Sequence, residues 1–544
     1  MFIYIFSEIY LIFVLCFLLP TGNIKLGKPG LIWFLFLTLS LTLGVPEWDR
    51  SMNLLNLLVP ESAISSIGVS YHLGPYIVAV RSIITILFSF YFLLTFETSP
   101  TSSINAEPEP MSVEAAGRVP AAPSEGGSRP GVSHGNYLLL IIFLSLYLIL
   151  SSYDLILLYI NMELLALSSY LLSFFQLNTP ALRSQLAAAS EASFKYFIMG
   201  SISSSFFLLG TSLVYGVKGT INFQNLFELN IGVYDNDLFF VGIIFIIFYF
   251  LFKLSIFPFH QWTPDVFQGV HINITAFFAL LPKSVFFFLL PYLLTRIVSG
   301  FAPDITSFPF GSSFYYAATI LALISILIGS FLGLLQSSLK RLLAYSSISN
   351  GGFMLLALST NSFVGYNSFF FYLIIYFVSS IGLFCSVIHY RASSFADLKY
   401  LVYINPIFTF NFSLLLFSLA GVPPLAGFIS KFQIFYSLFT YASATSSFGP
   451  PHVVGGLWSL AIVFLSLFLS LFAAFYYLRL IHLFYFFPLT TLVSNPTPPT
   501  FSHSTFVLST IPSYILSVSG LILLFGGLYP YPFMDLSTFL TLCL

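Results

Sequence analysis

Apolar runs long enough to cross a lipid bilayer recur along this sequence. A transmembrane helix needs about 20 mostly apolar residues, and about fourteen stretches of the chain meet that requirement. They lie near 2–19, 30–46, 76–96, 136–153, 154–175, 191–216, 238–268, 271–298, 314–336, 341–360, 364–390, 404–438, 456–485 and 507–530. Lipid cannot hydrogen-bond exposed backbone groups, so such stretches must be helices or the strands of a closed barrel. The run 241–252 is apolar on every side and lacks the alternation of a barrel strand. The sequence therefore predicts an all-α polytopic membrane protein. Composition agrees: 58% of the 544 residues are hydrophobic and 7% are charged, where a soluble domain carries roughly a quarter charged residues.

The N-terminal run 1–20 has no basic segment before it and contains Glu8, so it reads as a first span and not as a cleaved leader. Cys16, Cys385 and Cys543 are scattered, a pattern that suggests neither a disulfide framework nor a metal cluster. No Gly-rich turn after a strand marks a dinucleotide site. The expectation is a chain that holds no metal and no redox cofactor. The segment 97–135 is rich in Pro, Ser, Gly and Ala and reads as a flexible hydrophilic loop.

With these spans, basic residues sort unevenly. Lys25, Lys28, Arg118, Arg129, Arg183, Lys340, Arg341, Arg391, Lys399 and Arg479 fall on one side, and Arg50, Arg81, Lys218 and Arg296 on the other. The positive-inside rule then puts both termini outside and the 97–135 loop inside. Lys195, Lys253, Lys283 and Lys431 remain, all within spans, and Glu163 joins them. Ionisable groups at membrane depth are costly and survive where they pair, face water or carry ions.

Two spans contain helix breakers beside one of these lysines. The seventh reads FKLSIFPFHQWTPDVFQG, with Lys253, Pro258, His260, Pro264 and Gly269; the twelfth reads LAGVPPLAGFISKF, with Gly421, Pro423, Pro424, Gly427 and Lys431. Proline inside a helix removes a hydrogen bond and clashes with the preceding turn, so both spans should be discontinuous. Matching interruptions in two halves of a transporter point to its ion pathway. The breaks are five spans apart, an odd number, which predicts two inverted five-helix repeats, spans 4–8 and 9–13. The expected segments are an N-terminal three-helix part (1–96), the loop (97–135), a first repeat (136–300), a second repeat (301–490), and a C-terminal helix and tail (491–544). Unrelated proline kinks are the plainer alternative, since membrane helices tolerate them.

The strings NMELLALSSYLL, EASFKYFIMGSISSSFFLLGTSLVYGVKGTINF, FKLSIFPFHQWTPDVFQGVHINITAFFALLPK, KRLLAYSSISNGGF and NPIFTFNFSLLLFSLAGVPPLAGFISKF occur in that order. Together they resemble the antiporter-like membrane chains of respiratory NADH:ubiquinone oxidoreductase (complex I), chain 2 above all. The resemblance implies that Glu163, Lys253, Lys283 and Lys431 are the family's buried glutamate and central lysines, which relay protons while quinone is reduced elsewhere. It implies flavin, iron–sulfur clusters and ubiquinone in partner subunits, neighbours that include chain 4, and a place in the mitochondrial inner membrane or, alternatively, a bacterial plasma membrane or thylakoid. Single motifs also occur in multi-subunit cation/proton antiporters, the alternative assignment. Many members carry His where this chain has Asn350, which cannot titrate, so a relay there would need water or a neighbour such as Tyr345 or Ser347.

Each residue also has a plainer role. Glu163, with Tyr159 and Tyr170 on the same helical face, could form a structural ion pair, and the three lysines could be packing glue. Lys195 follows Glu191 by four residues, the favourable order for a pair on one helix, so a structural pair and a channel role are both open. His260 could shuttle protons or satisfy carbonyls freed at the break. Asp265 is expected to cap the short helix after Pro264.

Overall fold

A computed structural model of the chain describes residues 75–97, 131–175, 183–223, 236–299, 309–390, 395, 398–399, 401–446, 450–486 and 510–544. The expected spans at 2–19 and 30–46, and most of the loop 97–135, lie outside the described residues. The described chain is nearly all helix: α1 (Pro75–Glu97), α2 (Gly131–Ser151), α3 (Leu155–Phe175), α4 (Arg183–Lys218), α5 (Asn236–Leu254), α6 (Trp262–Gly269), α7 (Ile272–Ser299), α8 (Pro309–Leu334), α9 (Leu339–Ser359), α10 (Phe363–Tyr390), α11 (Leu401–Ile404), α12 (Pro406–Ala420), α13 (Ala426–Ser446), α14 (Pro450–Tyr485), α15 (Thr510–Leu528) and α16 (Tyr531–Cys543). An antiparallel bridge between Asp154 and Asn222 ties the α2–α3 link to the end of α4.

Among the described residues, 7 helices (α3, α4, α7, α8, α9, α10 and α14) are long and apolar enough to cross a membrane, and α15 and α16 form a further pair bent by 88°. The chain is a multi-pass membrane protein. Its outer helices turn large apolar side chains outward, such as Phe194 and Ile202 on α4 and Phe464 and Phe475 on α14. Outward apolar faces of this extent fit lipid or neighbouring protein, since water-facing monomers rarely carry them. At the other extreme, the apolar windows of α7 and α9 are 94% and 100% buried. These two innermost helices carry Lys283 and the SSISN string.

Both proline-rich stretches interrupt their helices. Between α5 and α6 the backbone turns at Ser255, with φ of 57°, and the Phe257–Pro258 bond is cis. Between α12 and α13 it turns at Gly421, with φ of 85°, and the Pro423–Pro424 bond is cis. Glycine suits that left-handed position because it lacks a Cβ. Gly427 is needed for another reason. A Cβ there would lie 1.8 Å from the Ser418 carbonyl oxygen, so only glycine lets α13 pack this closely on the end of α12.

Several local expectations are corrected. Helix α4 begins at Arg183, ahead of the apolar run expected from 191, because the preceding RSQLAAAS is a good helix-former although not apolar. Glu191 and Lys195 thus sit inside a long helix and not near its start. Arg81, within the span expected at 76–96, lies inside α1, buried, with its guanidinium 4.3 Å from the centroid of the Tyr147 ring. Asp265 does not cap α6. That helix starts at Trp262, with Pro264 accommodated in its first turn, which leaves Asp265 on the helix flank.

Candidate functional site

The three central lysines are buried: Lys253 is 5% exposed, Lys283 1% and Lys431 7%. Taking a charge out of water costs several kcal/mol unless partners replace the hydration. The surroundings of each lysine show what those partners are.

Lys283 follows Pro282 inside α7. Its Nζ donates to Ser255 Oγ at 2.7 Å and to Ser347 Oγ at 2.9 Å. The first acceptor is the residue at which α5 breaks, and the second lies on α9. Lys283 therefore joins the first interruption to the centre of the bundle.

Lys253 lies in the last turn of α5, just before the break. Its ammonium is within reach of three rings, at 5.5 Å from the centroid of Tyr249, 5.8 Å from Phe252 and 5.9 Å from Tyr196. Cation–π contacts of this kind are worth from about 0.5 to 2 kcal/mol, more when desolvated. A carbonyl freed by the break is not left for the lysine. Trp262 Nε1 donates to Phe252 O at 3.1 Å, and Ser255 Oγ donates to Leu254 O at 2.6 Å.

Lys431 lies in the first turns of α13, after its break. Its Nζ donates to Leu419 O and Ala420 O, both at 3.0 Å. These are carbonyls at the C-terminal end of α12, where the helix dipole favours a cation. A small cavity of about 10 Å³, lined by Tyr372, Tyr376, Ser418 and Lys431 among others, has room for about one water.

Glu163 is half-buried on α3. Among the described residues no ion pair joins it to Lys253, although the two are close enough to interact electrostatically. Tyr159, Tyr170 and Tyr249 sense the same carboxylate. The structure thus holds the two groups apart, with aromatic side chains around them.

The secondary candidates separate from this line. Lys195 is exposed; it pairs with Glu191 at 2.8 Å and with Asp265 at 3.3 Å, and Arg341 holds the other oxygen of Asp265 at 3.2 Å. Lys340 Nζ donates to Val270 O at 2.6 Å, just beyond α6. These contacts tie α6 to α4 and α9. His260 is buried in the first break, and its Nδ1 makes no hydrogen bond. Tyr345 packs on α8, its Cβ near Gly333, and lies within electrostatic range of Arg341 and Asp265. It is Ser347, the other named neighbour, that reaches Lys283.

Sequence reasoning missed a group of polar side chains near Asn350. Tyr372 donates from its hydroxyl to Asn350 Oδ1 at 3.0 Å, and the hydroxyls of Ser349 and Tyr476 lie 3.4 Å apart. Tyr476 and Tyr477 adjoin, with ring centroids 4.3 Å apart. The string YYLRLI shares in the family resemblance, but in a chain with 67 Phe and 32 Tyr nothing in it marks the two hydroxyls as neighbours of Asn350.

Two broken helices, each beside a buried lysine, with a third buried lysine on an inner helix of an apolar bundle, define a membrane subunit of antiporter-like architecture. Residues 152–448 match the family described as NADH:quinone oxidoreductase/Mrp antiporter, transmembrane. NADH-quinone oxidoreductase subunit N of Parvibaculum lavamentivorans is 33% identical over 417 residues, covering 74% of this chain and 76% of that protein. NADH-ubiquinone oxidoreductase chain 2 of Marchantia polymorpha is 31% identical, covering 75% of this chain and 76% of that one. The fold is shared with a chain of Thermus thermophilus respiratory complex I (TM-score 0.60, 23% identity, 91% of this chain and 98% of that chain). It is shared also with a chain of the Mrp complex from Dietzia (TM-score 0.72, 16% identity, 98% and 96%). The chain belongs to the NADH:quinone oxidoreductase/Mrp antiporter family, as an antiporter-like membrane subunit of complex I.

Proposed function

We propose that Glu163, Lys253, Lys283 and Lys431 form the proton path by which this chain serves as a proton-translocating membrane-arm subunit of NADH:quinone oxidoreductase. The chain is a subunit of that enzyme, and its partners are other complex I subunits. The observation that carries the path is Lys283, buried in an inner helix and hydrogen-bonded at once to the first break and to α9. In this reading quinone reduction in partner subunits alters the charge or hydration near Glu163. Glu163 and Lys253 then approach or part, Lys253 passes its proton toward Lys283, and Lys431 delivers it across. Moving one charge against 100 mV takes about 2.3 kcal/mol, a cost within the range of a few cation–π contacts or charged hydrogen bonds.

The same reading arranges about fourteen spans as two inverted five-helix repeats, with the discontinuous seventh and twelfth spans as their ion-conducting elements. It places flavin, iron–sulfur clusters and ubiquinone in other subunits, puts a chain 4 homologue among the neighbours, and locates the chain in the mitochondrial inner membrane. Lys195 serves the Asp265 cluster and not the path. Lys253→Met in the assembled complex tests the relay: NADH-driven proton uptake into vesicles should fall sharply with the subunit still present, and normal pumping would refute the assignment. Co-purification with flavin and iron–sulfur subunits separates this function from that of a free-standing cation/proton antiporter.

A further inference from the structure

Between Lys283 and Lys431 the structure offers no titratable side chain at the Asn350 position. What it offers is a run of buried neutral hydroxyls. Lys283 is bonded to Ser347 on α9. On the same helix, Ser346, Ser349 and Asn350 are all buried. Tyr476 of α14 reaches Ser349 at 3.4 Å, and the Tyr477 hydroxyl lies beside Ser346, Asn350 and Tyr476. Tyr372 of α10 donates to Asn350 at 3.0 Å and lines the small cavity that also holds Lys431.

Two features mark this group as more than packing. The Tyr477 hydroxyl and Asn350 Nδ2 are buried beside each other with poor hydrogen-bond geometry. A buried polar group bonded this imperfectly costs up to about 1–3 kcal/mol, which phenylalanine and leucine would avoid. The group also draws on α9, α10 and α14, reaching Lys283 through Ser347 at one end and the cavity lined by Lys431 at the other.

We infer that the hydroxyls of Tyr372, Tyr476 and Tyr477, held in place by Asn350, form a neutral proton bridge between Lys283 and Lys431. This rests on the relay proposed above and specifies its middle. The Lys283 ammonium gives up one proton and the Lys431 amine gains one. Each intervening hydroxyl accepts a proton on its oxygen as it releases its own, and resets by rotation of its O–H. No charge is stored between the lysines. Asn350 transfers nothing; it is a positioning residue that turns the Tyr372 hydroxyl.

The test uses the assembled complex in vesicles with three variants: Tyr372→Phe, the double change Tyr372→Phe/Tyr477→Phe, and Lys253→Met as the reference for the relay. Phenylalanine keeps each ring and its packing, and the single variant stands in if the double one does not assemble. The bridge predicts proton transfer slowed about a hundredfold or more, the order typical when one proton-transfer group is removed. It also predicts a changed solvent deuterium effect on pumping. Parent-level pumping by the Tyr→Phe variants, with pumping lost in Lys253→Met, would overturn the bridge and leave the relay standing. Parent-level pumping in Lys253→Met would remove the relay, and the bridge with it.

Discussion

The two broken spans use the same punctuation and hold their lysines differently. In the first, Lys253 precedes the break, the carbonyl of Phe252 is taken by Trp262, and the ammonium is left among aromatic rings. In the second, Lys431 follows the break and takes two freed carbonyls itself. Hydrogen bonds to charged groups are worth about 1.5–3 kcal/mol each, more than a typical cation–π contact. The first lysine is thus the looser of the two, and the second also serves as part of the structure of its break. One residue type at one kind of helix break can therefore be held loosely among rings or tightly as a cap on freed carbonyls.

The largest expected effect separates those two roles. Lys253→Met and Lys431→Met should both stop pumping, but Lys431→Met should also reduce the amount of assembled complex. It leaves two carbonyls without their donor, at about 1–3 kcal/mol each. Native gels beside a pumping assay would show it, and equal assembly of the two variants would erase the distinction. Next comes Gly427→Ala. The new methyl would collide with the Ser418 carbonyl, and overpacking of this kind costs about 1–3 kcal/mol. Thermal stability should drop, and pumping with it, because the carbonyls that hold Lys431 shift.

Trp262→Phe is a milder probe of the first break. The ring can still pack on Phe252 and Tyr196, but the Phe252 carbonyl loses its indole donor and keeps the Ser255 N–H at 3.0 Å, a net loss of about 0.5–1.5 kcal/mol. If the aromatic cage is what holds Lys253, stability falls and pumping is slowed but not lost; complete loss would mean that the indole N–H is itself part of the path. Asp265→Asn should do least. Its partners Lys195 and Arg341 are solvent-accessible, and exposed ion pairs contribute little. Pumping near the parent rate is expected, measured in the same vesicles.

Much of the arrangement was legible because the chemistry that builds it is rare in an apolar sequence. Pro258, Pro423, Pro424 and Gly421 announced the breaks, and four lysines in a chain with 7% charged residues drew attention to themselves. Other parts were hidden for physical reasons. Pro264 suggested a helix beginning after it, but proline also fits a first turn, so Asp265 was misread as a cap. Tyr345 and Ser347 stand five and three residues before Asn350, and only the packing of α9 shows that the serine faces Lys283 and the tyrosine faces α8. Tyr372 and Tyr476 look like any aromatic residues until three helices bring their hydroxyls to one place.

The central claim is that protons cross through side chains kept in the apolar interior, with Lys283 as the node between the two breaks. Proton-to-electron stoichiometry of the assembled complex carrying Lys283→Met tests it most directly. Fewer protons per NADH oxidised, with the subunit still in place, is the predicted result. An unchanged ratio at normal turnover would contradict the account.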